Sequence, residues 1–239
     1  VLALFLNLAE EKGAKAMVAG KAAEQEAQIK AMQIRELELA KENGPYETFK
    51  GSPMSEGKFQ FDLWGKSATE RYPWEDLRKE IVEHGIRNST LMALMPAETS
   101  AQISNSTNGI EPPRAFVSVK QSKHGVLKQV VPGFSRLKNK YDLLWQQKSP
   151  EGYLKIMAVL QKYIDQGISV NTSYNPEFFP DEKIPLSVML QHLVMFYKYG
   201  GKQLYYFNTY DGQGEIEFKN KPLKSREDFE SDEQYDDYC

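Results

Sequence analysis

Glu98, Thr99 and Ser100 are the consecutive side chains of this sequence best suited to hold a charged ligand. They follow an apolar run, Leu91 to Met95, bounded by Asn88-Ser89-Thr90 before it and Pro96 after it, a pattern that predicts a buried strand. A strand that runs through a hydroxyl-bearing turn into a helix start offers an anion unpaired backbone N–H groups and the positive end of a helix dipole. The hydroxyls of Thr99 and Ser100 add side-chain donors at the same point. Pro96, Ala97, Glu98, Thr99 and Ser100 therefore read as a phosphate cradle at the mouth of an α/β sheet or barrel. A plainer reading stands beside it, in which the hydroxyls only cap the helix that follows. The Glu98 carboxylate fits a cradle only when it turns outward or caps a neighbouring N–H.

Tyr205 and Tyr206 form the second constellation, inside a β-prone run from Lys202 to Thr209. Neighbouring side chains of a regular strand point to opposite faces, so the plain expectation is one ring in the core and one at the surface. Two phenols that passed an unpaired electron between them would need to sit together, each O–H with a partner for its proton. That arrangement requires the pleat to break at this pair.

Several elements must position these groups. The first 40 residues contain ten alanines with many Glu, Lys and Gln, a helix-forming composition. Ala23, Ala27, Ala31, Ile34 and Leu37 give one modest apolar stripe. Asn43-Gly44-Pro45 stops that helix. Residues 45–65 carry aromatics without helical period and read as an ordered, packed loop. Pro73 opens a short helix that Gly85 closes. Ala115 to Lys120 and Val126 to Val131 read as a hairpin whose loop, 121–125, carries a solvated His124. Long helices are expected over Glu151 to Ser169 and Pro185 to Tyr199, with a strand running into a turn across Asn171 to Pro176. Helix and strand in alternation predict α/β architecture with parallel strands.

The 239 residues are 41% hydrophobic, enough for a real core, and the net charge of −3 gives no support for a nucleic-acid surface. One cysteine, Cys239, leaves no internal disulfide framework and no cysteine-based zinc site. His84, His124 and His192 are too scattered to suggest a metal site. The apolar run Val1 to Leu8 is too short to span a bilayer, and a basic leader is absent from it, so a cytoplasmic, soluble protein is expected. From Ser225 to Tyr238 there are seven acids and one arginine, the composition of a solvated tail.

From Glu36 onward the sequence resembles the C-terminal part of the large catalytic subunit of class I ribonucleotide reductase. The resemblance is carried by Glu36 to Glu47, Gly51 to Gly57, Phe59 to Trp64, Gly85 to Thr90, Met95 to Ile103, Asn108 to Arg114, Tyr163 to Gln166 and Leu204 to Tyr206. It covers about residues 36–212, with the motifs in family order. The implied fold is the C-terminal half of a ten-stranded α/β barrel, here preceded by an N-terminal helix. The implied division is a helical segment 1–43, poorly matched to the family, a barrel part 44–218 and an acidic tail 219–239.

By the same resemblance, Pro96, Ala97, Glu98, Thr99 and Ser100 bind the diphosphate of a ribonucleoside diphosphate, and Tyr205 and Tyr206 relay a radical from a separate small subunit. No cofactor is implied in this chain itself. Ala97 departs from the family, which usually carries a hydroxyl there. The cysteine that attacks the ribose and the cysteine pair that reduces it lie upstream of the matched region. A complementary N-terminal fragment of the large subunit is therefore expected to donate them. The family's tail ends in two cysteines that take electrons from a thioredoxin or glutaredoxin, and Cys239 stands where the first of them would fall. The chain starts on Val1 and ends on Cys239, so a split-gene product and a truncated fragment both remain open. The competing functional reading is a non-catalytic remnant or interaction module that binds the small subunit or the complementary half. An isolated half barrel is expected to self-associate through its open edges.

Overall fold

The computed structural model describes residues 2–122 and 125–212. His124, the acidic tail and Cys239 lie outside the described residues. Helix α1 runs over Leu2–Asn43 and ends at Gly44 in a left-handed conformation, φ 78°. Its buried face is Gln25 and Glu26 followed by Ile29, Gln33, Leu37 and Ala40, which from Glu26 onward are spaced three and four apart. The stripe expected from the sequence coincides with this face only in part: Leu37 is buried and Ala23 and Ala27 half-buried, but Ala31 and Ile34 are exposed. Polar residues on the buried side hid it from a hydrophobicity reading. Glu26 is fully buried and tolerates it because three donors meet its carboxylate: Thr69 Oγ1 at 2.7 Å, Thr69 N at 3.0 Å and Trp74 Nε1 at 3.3 Å.

Residues 45–65 pack as the sequence predicts. Phe59 and Phe61 are buried against Trp74, with ring centroids 5.5 and 5.2 Å from the indole. Arg78 lies over the Phe59 ring and donates to Asp62 at 2.7 Å, which ties the loop to helix α2, Trp74–His84. At its end, Gly85 has φ 80°, and a Cβ there would come within 2.5 Å of Pro45 Cβ. Only glycine lets the end of α2 lie this close to the turn after α1.

Helix α3, Glu98–Ile103, is followed by the antiparallel hairpin β1, Val117–Ser122, and β2, Gly125–Val130. Pairing reaches Ser122 opposite Gly125, so the connection is shorter than the five-residue loop expected. The four-residue α4, Phe134–Leu137, leads to α5, Glu151–Gln161. The sequence pattern extends α5 to Ser169, but the helix stops at Gln161. The buried Gln161 amide donates to the carbonyls of Ile164 (2.8 Å) and Gln166 (2.6 Å) and accepts from Ile168 N (3.0 Å). Those bonds satisfy a turn where the helix would have run. Ile164 and Ile168 keep helical spacing by coincidence, and both are buried in the turn.

Strand β3, Thr172–Tyr174, pairs in parallel with β4, Phe207–Thr209, and α6, Leu186–Lys198, lies between them in sequence. Leu154, Met157, Leu160, Ile164, Ile168, Val170 and Phe196 form the core that joins α5 and α6 to this strand pair. Each large apolar side chain fully buried there contributes about 1.5–3 kcal/mol. His192 of α6 stacks on Tyr174 of β3, with Nδ1 3.1 Å from the phenol oxygen and Nε2 3.3 Å from Ser149 Oγ.

The chain is thus a mixed helix and sheet protein, but among the described residues the strands form two separate two-stranded sheets and no barrel closes. Among the described strands only β3 and β4 are parallel. Among these residues no helix is long and apolar enough to cross a membrane.

Candidate functional site

The segment Leu91 to Met95 is not a regular strand, contrary to the sequence reading, and Met95 is 69% exposed. It is anchored to the turn that follows α5. The Asp165 carboxylate accepts from Leu91 N at 2.6 Å and Met92 N at 3.0 Å, and Gln166 N and Ser169 N donate to the carbonyls of Met92 and Leu94. The turn after α5 thereby substitutes for a neighbouring strand, and it aims the apolar segment at Pro96.

Beyond Pro96, Ala97 is the N-cap of α3 and makes no side-chain cap bond. Thr99 and Ser100 sit in the first turn with their side chains exposed. The Ser100 N–H donates to Ala97 O at 3.0 Å, so that amide is used within the turn. The backbone donors this loop presents are consequently fewer than the sequence pattern implies, while Thr99 and Ser100 face solvent.

Pro96 borders a small cleft of about 40 Å³, together with Met95, Asn108, Glu111, Tyr153 and Asn171. Ala97, Thr99 and Ser100 do not line it. Glu111, Tyr153 and Asn171 also line a second, still smaller indentation of about 10 Å³. Burial pushes the Glu111 carboxyl up, against the opposing pull of the Asn171 hydrogen bond and the Arg114 charge. Burial likewise raises the Tyr153 phenol, and the Glu111 charge adds to the rise. Asn171 Nδ2 donates to Glu111 Oε1, while Asn171 Oδ1 accepts from Tyr206 N at 3.1 Å. A continuous line of contacts thus runs from the cleft beside Pro96 to the tyrosine pair.

Tyr205 and Tyr206 do not take opposite faces. Their ring centroids are 4.2 Å apart at 51°, and their hydroxyl oxygens are 3.4 Å apart. Both side chains are about half exposed, at 49% and 56%. The regular strand starts only at Phe207, so the pleat is broken at this pair. Upstream, Gly200 has φ 94° and would bring a Cβ to 2.5 Å from the Trp64 ring, which makes it the hinge that turns the chain from α6 toward this edge. Glu111 and Asn171 escaped the sequence reading as site residues. The signal available was a carboxylate in the apolar context of Ile110-Glu111-Pro112-Pro113.

The profile described as the ribonucleotide reductase barrel domain matches residues 21–207. This chain belongs to that family. It is 51% identical over 187 residues to the ribonucleoside-diphosphate reductase subunit alpha of Haemophilus influenzae, covering 76% of this chain and 25% of that protein. It is 50% identical over 181 residues to the ribonucleoside-diphosphate reductase 1 subunit alpha of Escherichia coli, covering 73% and 24%. The phage T4 subunit alpha is 42% identical over 197 residues, covering 79% and 26%. The chain spans about a quarter of the length of these relatives.

Proposed function

We propose that this chain supplies the diphosphate-binding loop, Pro96 to Ser100, and a radical-transfer pair, Tyr205 and Tyr206, to a ribonucleoside-diphosphate reductase. Its fold is the later half of the family's ten-stranded α/β barrel. The division is a helical segment 1–43, a barrel part 44–218 and an acidic tail 219–239. The substrate is a ribonucleoside diphosphate, the radical comes from a separate small subunit, and no cofactor resides in this part.

The observation that carries the reading is the contact of the two phenols, with hydroxyl oxygens 3.4 Å apart. At that distance a hydrogen atom passes from a reduced tyrosine to its oxidised neighbour, one O–H bond breaking as the other forms. The Thr99 and Ser100 hydroxyls serve as donors to the diphosphate, and Ala97 contributes its backbone N–H alone.

Attack on the ribose and its reduction need thiols, and the one cysteine is Cys239. The thiyl radical and the reducing pair therefore come from outside these 239 residues, on the complementary N-terminal part of the large subunit. Cys239 takes part in passing electrons from a thioredoxin or glutaredoxin. The test is to mix this chain with that companion and a radical-generating small subunit and to assay reduction of cytidine diphosphate. Restored turnover supports the reading. A mixture that assembles but stays inactive overturns it in favour of a non-catalytic interaction module.

A further inference from the structure

The hydrogen bonds between β3 and the segment entering β4 contain a slip of one residue. Tyr210 N donates to Tyr174 O at 2.9 Å, and Thr172 N donates to Tyr206 O at 2.8 Å, as the parallel register of Thr172 with Phe207 requires. Counting back four residues along both strands from the Tyr210–Tyr174 bond, the carbonyl of Val170 should accept from Tyr206. It accepts from Tyr205 instead, at 2.7 Å. One extra residue has entered the edge of β4, the defining property of a β-bulge. A bulge re-aims side chains, and here it brings two consecutive phenols to the same side.

The slip leaves the Tyr206 N–H without its ladder acceptor. An unpaired backbone group in such a site would favour a return to the regular register. Asn171 Oδ1 takes that N–H at 3.1 Å. Its other end donates to Glu111 Oε1, and a carboxylate can only accept, so Glu111 fixes which way round the carboxamide sits.

We infer that Asn171, oriented by Glu111, is the positioning residue that holds this bulge and with it the contact between Tyr205 and Tyr206. The pairing also ties the phenols to the cleft that Glu111, Asn171 and Pro96 line. The structural part stands on hydrogen bonds alone. Its consequence for turnover rests on the radical-transfer reading above.

The two parts separate experimentally. In the full 239-residue chain with labelled tyrosine, ring-to-ring nuclear Overhauser signals between Tyr205 and Tyr206 are expected, and Asn171→Ala should abolish them. Asn171→Asp should also abolish them at a pH alkaline enough to ionise both buried carboxyls, where they repel and no donor remains for Glu111. The reciprocal double variant Glu111→Gln, Asn171→Asp restores a donor facing an acceptor and should bring the signals back. These two variants keep side-chain volume, so they carry the test if the alanine variant fails to fold. Signals that persist in Asn171→Asp at that pH, or a double variant that does not recover them, would overturn the inference. In the assembled enzyme at the same pH, Asn171→Asp should lower kcat with KM unchanged, and the double variant should recover it. If the two rings separate in Asn171→Asp while kcat stays intact, the positioning role stands and the tyrosine pair is removed from the reaction.

Discussion

The tyrosine pair and the hydroxyl loop reach their geometry by opposite means. Tyr205 and Tyr206 are held by backbone bonds to Val170 and Thr172 and by the Asn171 carboxamide, so their contact exists without any ligand. Thr99 and Ser100 stand exposed in a six-residue helix whose N-cap makes no side-chain bond. A relay depends on distance and must be preorganised by the protein, whereas a phosphate site can let the anion complete it. Substitutions at the pair should therefore act on the rate of reaction, and substitutions at the loop on binding.

The largest effect is expected at the pair. Replacing Tyr205 or Tyr206 by Phe keeps the ring but removes the O–H, so turnover of the assembled enzyme should vanish while nucleotide affinity is unchanged. Steady-state assay with a parallel binding titration checks this, and retained turnover in either variant removes that residue from the relay.

Ser100→Ala should come next, weakening substrate binding by about 1.5–3 kcal/mol, the usual worth of a hydrogen bond to a charged group. That is roughly a tenfold to hundredfold rise in KM with little change in kcat, and an unchanged KM would exclude Ser100 from the phosphate site. Ala97→Ser asks the reverse question. Adding a hydroxyl at this position should tighten binding by about 0.5–1.5 kcal/mol, read as a fall in KM.

The smallest expected effect lies in stability rather than reaction. Burial lowers the His192 pKa, opposed by the Glu151 charge, and the ring meets Tyr174 and Ser149. A lowered histidine pKa means that the fold prefers the neutral ring. Its contribution is present above the unfolded value, about 6.5, and is lost as pH falls through the lower folded value. Thermal melts across that window should show stability falling on acidification, and His192→Gln should flatten the slope. An equal slope in both proteins would place the pH response elsewhere.

Much of the architecture was legible from local rules. The stop at Gly44, the span of α2 between Pro73 and Gly85, the hairpin and the limits of α6 follow from caps, turns and period. The misreadings have a common cause. The buried face of α1 carries Gln25, Glu26 and Gln33, and the burial of Glu26 depends on Thr69 and Trp74, distant in sequence. Helix α5 ends where a buried glutamine satisfies a turn, and Leu91 to Met95 stays irregular because its partner is a carboxylate and a turn. Periodicity records which residues are apolar and says nothing of which polar groups find partners.

For the site, residue types alone marked out the hydroxyl loop and the adjacent tyrosines, and the motifs around them marked the family. Which faces the two rings take was beyond local pattern, since alternation predicts opposite sides. That was decided by a one-residue slip against β3 and by a carboxamide 35 positions earlier in the chain, Asn171 for Tyr206. Side-chain identity is written in the sequence, but the direction of a side chain depends on register, and register is set by hydrogen bonds between segments that meet only in the folded protein.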